Sequence, residues 1–138
     1  MTTFLDTSFL IKLYIPEIHS DKAVAIASQL SGSVAVSALT DVEMASALFR
    51  RLPGAQAQGI YDKYRRNRGS GLFQEFPVND MIYLSARTLA ERHAAAFLLR
   101  SIDILHLATA LRHGATGMAT FDDKLAKAAA ALGLQVFP

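Results

Sequence analysis

The chain has 138 residues, 51% hydrophobic and 19% charged, which is enough apolar side chain for one domain with its own core. It holds no cysteine, so disulfide scaffolds, thiolate zinc sites and thiol nucleophiles are excluded. Fourteen Lys+Arg against twelve Asp+Glu leave a formal charge of +2, too small to identify a polyanion partner from the total alone.

From the N-terminus, Thr2–Leu5 reads as a first strand, followed by a helical stretch Ser8–Tyr14 that Pro16 stops. Ser20–Leu30 carries Ala23, Val24, Ala27 and Leu30 at helical spacing, and Ser33–Val36 is a second short strand. Thr40–Leu52 and Ala55–Arg68 form a helix pair broken at Pro53-Gly54. A third strand is expected within Phe73–Val78, then helices over Asn79–His93 and Ser101–His113, the second closed by Gly114. Thr116–Thr120 is a fourth strand, Asp122–Leu132 a last helix closed by Gly133, and Leu134–Phe137 a fifth strand. Short apolar strands alternating with helices predict a small α/β sandwich, a parallel sheet covered on both faces. No repeat or linker interrupts the pattern, so residues 1–138 are expected to form a single domain. No segment has the roughly 20 apolar residues that cross a bilayer, and the chain is expected to be soluble and cytoplasmic, with no membrane partner.

In open α/β sheets the ligand site forms beyond the carboxyl ends of the strands. Four acids are expected there: Asp6 directly after the first strand, Glu43 in the first turn of the helix after the second, Asp103 opening the helix from Ser101, and Asp122 after the fourth strand. Each has an ordinary structural explanation. Thr40-Asp41-Val42-Glu43 is a capping box, Asp123 in Thr120-Phe121-Asp122-Asp123 suits a helix start, Asp103 favours the positive end of its helix, and Asp6 suits a turn. Converging carboxylates, however, either raise one another's pKa or recruit a cation. With oxygen donors and no thiolate, that cation is Mg²⁺ or Mn²⁺, and the chemistry it supports is phosphodiester hydrolysis.

Four segments together carry a family resemblance: Leu5-Asp6-Thr7-Ser8, Ser37 to Glu43 (S-A-L-T-D-V-E), Ser101 to Ala110 (S-I-D-I-L-H-L-A-T-A) and Ala119 to Leu125 (A-T-F-D-D-K-L). In this order and over essentially the whole chain they resemble a PIN domain of the VapC toxin type. The resemblance implies a three-layer α/β/α sandwich with a short central parallel sheet. It implies a Mg²⁺- or Mn²⁺-dependent endoribonuclease, the toxin of a toxin–antitoxin pair, dimeric and restrained by a VapB-like antitoxin. Asp6, Glu43, Asp103 and Asp122 match the family's acidic quartet, and Ser8 and Thr120 match its supporting hydroxyls. The metal is expected chiefly on Asp6, Asp103 and Asp122, with Glu43 acting through a bound water. Asp122 rather than Asp123 takes the fourth place because the family spacing is T-x-D.

Other residues are read more plainly. Asp41, two residues before Glu43, faces away from it and is expected in solvent. His106 shares a helix face with Asp103 but stands outside the acidic quartet, and His19, His93 and His113 are placed at helix ends. Arg50, Arg51, Lys63, Arg65, Arg66 and Arg68 concentrate six of the fourteen cations in one stretch, a candidate path for RNA backbone, with Tyr61 and Tyr64 able to stack on bases or to pack inward. The alternative to a nuclease is a non-catalytic PIN-like module that binds RNA or protein with its acids only capping helices. Phosphate-binding P-loop and dinucleotide Gly-rich motifs are absent.

Overall fold

A computed structural model describes residues 1–137. Five strands, β1 (Thr2–Leu5), β2 (Ser33–Ser37), β3 (Gln74–Phe76), β4 (Gly117–Ala119) and β5 (Gln135–Phe137), form one all-parallel sheet in the order β3-β2-β1-β4-β5. Seven helices cover it: α1 (Thr7–Leu10), α2 (Ser20–Gln29), α3 (Ala38–Arg51), α4 (Gly54–Gly69), α5 (Asp80–Phe97), α6 (Ser101–Arg112) and α7 (Asp123–Ala131). The expected α/β sandwich with a short central parallel sheet is the fold observed.

Strand alternation divides the core in two. Leu5, Val36 and Ala119 point to one face, where Phe9, Leu10, Met44, Leu48 and Tyr64 from α1, α3 and α4 cover them. Their neighbours Phe4, Ala35 and Met118 point to the other, against Leu107 and Ala110 of α6 and Leu125, Ala128 and Ala129 of α7.

Three local features differ from expectation. Helix α3 begins at Ala38, immediately after β2, because Ser37 is its N-cap: the Ser37 hydroxyl accepts from Leu39 N–H at 3.2 Å and the Thr40 hydroxyl accepts from Ser37 N–H at 3.1 Å. Glu43 therefore lies in the second turn, not the first. The segment after β1 is a single α-turn followed by a 3₁₀ turn at Ile11–Leu13. Helix α5 runs through Ala94-Ala95-Ala96 to Phe97, so His93 is inside it rather than at its end.

The chain starts up one half of the sheet from β1 through β2 to β3 and then returns to β4 and β5 on the other side of β1. The strand order reverses between β1 and β4, which is where open parallel sheets place ligands. Asp6 leaves β1 and Thr120 leaves β4 at this point, and Asp6 N–H donates to Ala119 O at 2.9 Å across it.

Candidate active site

Asp6 is the hub. It is 5% exposed, and its Oδ2 accepts from the Ser8 hydroxyl at 2.6 Å and the Thr120 hydroxyl at 2.8 Å. Those hydroxyls in turn accept from Phe121 N–H at 3.0 Å and Asp122 N–H at 3.0 Å, so the loops after β1 and β4 are tied through one carboxylate oxygen. The fold thus brings Ser8 and Thr120, expected as supporting hydroxyls, to the same carboxylate oxygen of Asp6. The other oxygen, Asp6 Oδ1, has no hydrogen-bond partner among the described residues and lies 4.0 Å from His106 Nε2.

Glu43 reaches Asp6 from α3. Its Oε1 accepts from the Thr7 hydroxyl at 2.7 Å and pairs with His106 Nε2 at 2.5 Å. Burial pushes the Glu43 carboxyl up, but the hydrogen bond and charge of His106, together with Thr7 and Arg100, outweigh it and hold Glu43 below its ordinary value. For His106, burial works downward, and Glu43, then Asp6 and Asp103, reverse it and raise the imidazole pKa. His106 is fully buried, packs on Phe4 with ring centroids 5.6 Å apart, and its Nδ1 has no hydrogen-bond partner among the described residues. One donor atom each from Asp6, Glu43 and His106 come within 4.8 Å of one another. Among the described residues this is the compact metal-capable group, and it includes a histidine that the sequence reading left outside the quartet. The available signal was its position three residues after Asp103, on the same helix face.

Asp103 and Asp122 stand outside that group. They line one cavity of about 320 Å³ with Leu98, Arg100, Asp123 and Lys124. Asp122 is the N-cap of α7, its Oδ1 accepting from Lys124 N–H at 2.9 Å and Leu125 N–H at 3.0 Å, while Asp123 is the first helical residue and is exposed. Asp103 Oδ2 accepts from Arg100 N–H at 3.2 Å. Burial raises the Asp103 pKa; Arg100 opposes this, while the charges of Asp122 and Asp6 add to it.

The four acids share one pattern. Each gives one oxygen to the fold and keeps the other without a hydrogen-bond partner among the described residues: Asp6 Oδ1, Glu43 Oε2, Asp103 Oδ1 and Asp122 Oδ2. Hard carboxylate oxygens with no thiolate fit a divalent cation such as Mg²⁺ or Mn²⁺, and the donor atoms the fold brings within 4.8 Å of one another are those of Asp6, Glu43 and His106.

The basic stretch is divided by the fold. Arg50 and Arg51 line a second cavity, about 350 Å³, with Thr7, Ser8, Val42, Glu43 and Ser46. Arg51 is bound to Glu17 at 2.9 Å, and Arg68 to Asp41 at 2.6 Å and Glu75 at 2.9 Å. Lys63 lines a separate, mostly apolar cavity beside Tyr14 and Leu30, and the exposed Arg65 and Arg66 lie on α4, Arg65 with its guanidinium 5.9 Å from the Tyr61 ring. Tyr64 is fully buried, and burial raises its hydroxyl pKa. Asp41, expected in solvent, accepts from the Tyr61 hydroxyl at 2.8 Å, because α4 packs along that side of α3.

The parallel α/β sheet thus carries an acid-rich site at the point where its strand order reverses. The chain belongs to the PIN domain family: the family model for the PIN domain matches residues 3–131. No curated protein sequence matches it. Among solved structures, the fold is similar to Mycobacterium tuberculosis VapC20, described as a sarcin-ricin loop cleaving toxin, at 21% identity over 99% of both chains with a TM-score of 0.79. It is similar to FitAcB from Neisseria gonorrhoeae at 22% identity, covering 99% of this chain and 96% of that one, with a TM-score of 0.73. VapBC-1 from nontypeable Haemophilus influenzae matches at 18% identity over 99% and 97%, with a TM-score of 0.71. Among the described residues no helix is long and apolar enough to cross a membrane.

Proposed function

We propose that residues 1–138 form one PIN-like domain that acts as a metal-dependent endoribonuclease, the toxin of a VapBC-type pair, dimeric and restrained by a VapB-like antitoxin. The carrying observation is the division of labour within each carboxylate. Capping and hydrogen bonding use one oxygen of Asp6, Glu43, Asp103 and Asp122, and leave the other for a ligand. The family and the toxin–antitoxin complexes among the similar structures support the partner class.

In this reading Asp6, Asp103 and Asp122 hold Mg²⁺ or Mn²⁺. When bound, the ion lowers the pKa of a water and offsets charge on the phosphate. Ser8 and Thr120 fix the Asp6 carboxylate so that Oδ1 keeps its direction. Thr7 and His106 fix Glu43 as an ionised carboxylate whose Oε2 accepts a hydrogen bond from the attacking water and orients it. A carboxyl held below its ordinary pKa suits that orienting role better than full proton abstraction.

The test is to incubate the protein, freed of any co-purified partner, with total cellular RNA and Mn²⁺ or Mg²⁺ and to map the new ends. Discrete cuts are expected, lost with EDTA and with Asp6→Asn. A folded Asp6→Asn protein of full activity refutes the proposal. RNA binding that ignores EDTA, with no cleavage, establishes the non-catalytic binding module instead.

A further inference from the structure

Four carboxylates form a floor that repels RNA, so a nuclease built on them needs cations at the rim that are free to meet phosphate. Among the described residues, four of the fourteen cations are committed to ion pairs elsewhere. Lys12 and Arg51 hold Glu17, Arg68 holds Asp41 and Glu75, and Arg87 pairs with Glu91. Two cations line the cavity of Asp103 and Asp122 itself, Arg100 and Lys124. Lys124 has no ion-pair partner among the described residues.

Arg100 is placed with care. Its backbone N–H is fixed by Asp103 Oδ2 at 3.2 Å, which ties its Cα to the mouth of the acid pocket. The side chain, by contrast, is 79% exposed, and its one ion pair among the described residues is Nε at 3.7 Å from the same oxygen. That separation is beyond a hydrogen bond and lacks the parallel fork of a strong Arg–carboxylate pair. An exposed pair of this kind holds its partners weakly, so the guanidinium can leave Asp103 at little cost and keeps its Nη donors for another oxyanion. The charge of Arg100 also adds to the influences that hold the Glu43 carboxyl below its ordinary pKa. The turn that presents it is unusual. Leu98, two residues before Arg100 and bulky, takes φ 54, and Leu99 N–H closes the end of α5 on Ala94 O at 3.2 Å.

We propose that Arg100, seconded by Lys124, is a substrate-binding residue that grips a phosphate of the RNA strand at the Asp103–Asp122 cavity. This rests on the nuclease reading and adds to it the group that receives the substrate. The strand then lies across Asp6, between the Arg50 cavity on one side and the Arg100 cavity on the other.

The test compares wild type, Arg100→Ala, Arg100→Lys and Lys124→Ala, each checked for its melting temperature. Binding of a short fluorescein-labelled single-stranded RNA of mixed sequence is followed by anisotropy across a NaCl series with Mn²⁺, alongside cleavage kinetics on the mapped RNA. Arg100→Ala is expected to weaken RNA binding about tenfold and to make the salt slope shallower by about 0.7. KM rises more than kcat falls, and Arg100→Lys recovers the slope with part of the affinity. A residue that serves only as counter-charge to Asp103 behaves differently: its removal tightens Mn²⁺ binding and leaves RNA affinity and salt slope unchanged. That outcome in a protein that still cuts RNA overturns this inference and leaves the nuclease reading standing. A wild type that neither binds nor cuts RNA in Mn²⁺ overturns both.

Discussion

Thr120→Val tests whether the Asp6 carboxylate is held as described, because it keeps the shape of the side chain and removes only the hydroxyl. That hydroxyl is at a residue 1% exposed, donates to Asp6 Oδ2 at 2.8 Å, and accepts from Asp122 N–H at 3.0 Å. A hydrogen bond to a charged group contributes about 1.5–3 kcal/mol. Ser8 keeps its own bond to the same oxygen, so the lower part of that range applies, about 2 kcal/mol. With an unfolding entropy of about 2.1 cal/mol/K per residue over 138 residues, this corresponds to a fall in Tm of about 7 °C. Thr120→Ser loses a buried methyl and keeps both bonds, which costs about 1 kcal/mol, or about 3 °C. Circular dichroism melts in EDTA separate the two. Because Oδ1 loses its fixed direction, Thr120→Val is also expected to reduce metal-dependent cleavage by about 10–100-fold. A valine variant that melts at or above the serine variant refutes the assignment of the Thr120 hydroxyl as a support of Asp6.

Metal should stabilise the fold itself: Mn²⁺ at about 100 times its Kd adds about 2.7 kcal/mol, a rise in Tm of about 9 °C that EDTA reverses. No shift at any Mn²⁺ concentration refutes a preformed site. The His106–Glu43 pair has a calculable pH window in the metal-free protein. Glu43 sits below its ordinary 4.5, so its contribution is present above that value and is lost as pH falls through the lower folded pKa; His106 sits above its ordinary 6.5, so its contribution is present below that value and is lost as pH rises through the raised folded pKa. The stability difference between wild type and His106→Asn in EDTA should therefore peak between 4.5 and 6.5, and a flat difference across that window refutes the pairing.

The elements of the sheet were legible because each strand lies in a short stretch bounded by turn residues, and the closing glycines of α6 and α7 mark real helix ends, with Gly114 and Gly133 at φ 75 and 90. What sequence could not fix were choices settled by contacts distant in the chain. Two capping patterns overlap between Ser37 and Glu43, and the earlier one holds because β2 ends at Ser37 and leaves no loop. Asp41 does face away from Glu43 as spacing requires, but that side of α3 belongs to α4, whose Tyr61 and Arg68 pair with it. The path of the basic stretch depends on Glu17, more than thirty residues away from Arg51. His106 was visible beside Asp103, yet its reach to Glu43 depends on where α3 lies, which no helical period contains.

Asp122 carries the general question of whether these acids cap helices or serve a ligand, and its two oxygens allow the roles to be separated. Oδ1 accepts from two backbone N–H groups at the start of α7, and Oδ2 has no hydrogen-bond partner among the described residues. Asparagine caps a helix about as well as aspartate, so Asp122→Asn should lower stability by no more than about 0.5 kcal/mol, the loss of a charge near the helix N-terminus. Asp122→Ala removes the cap and costs about 1–2 kcal/mol, a Tm lower by about 3–7 °C. If capping is the whole of its role, cleavage follows stability and the asparagine variant works like wild type. If Oδ2 serves the metal, both variants lose metal-dependent cleavage, and asparagine does so at nearly wild-type stability. Melting and cleavage measured on the same preparations distinguish the two: a stable, fully active Asp122→Asn protein removes Asp122 from the proposed metal site, whereas a stable, inactive one means that a single carboxylate is both the cap of α7 and part of the chemistry.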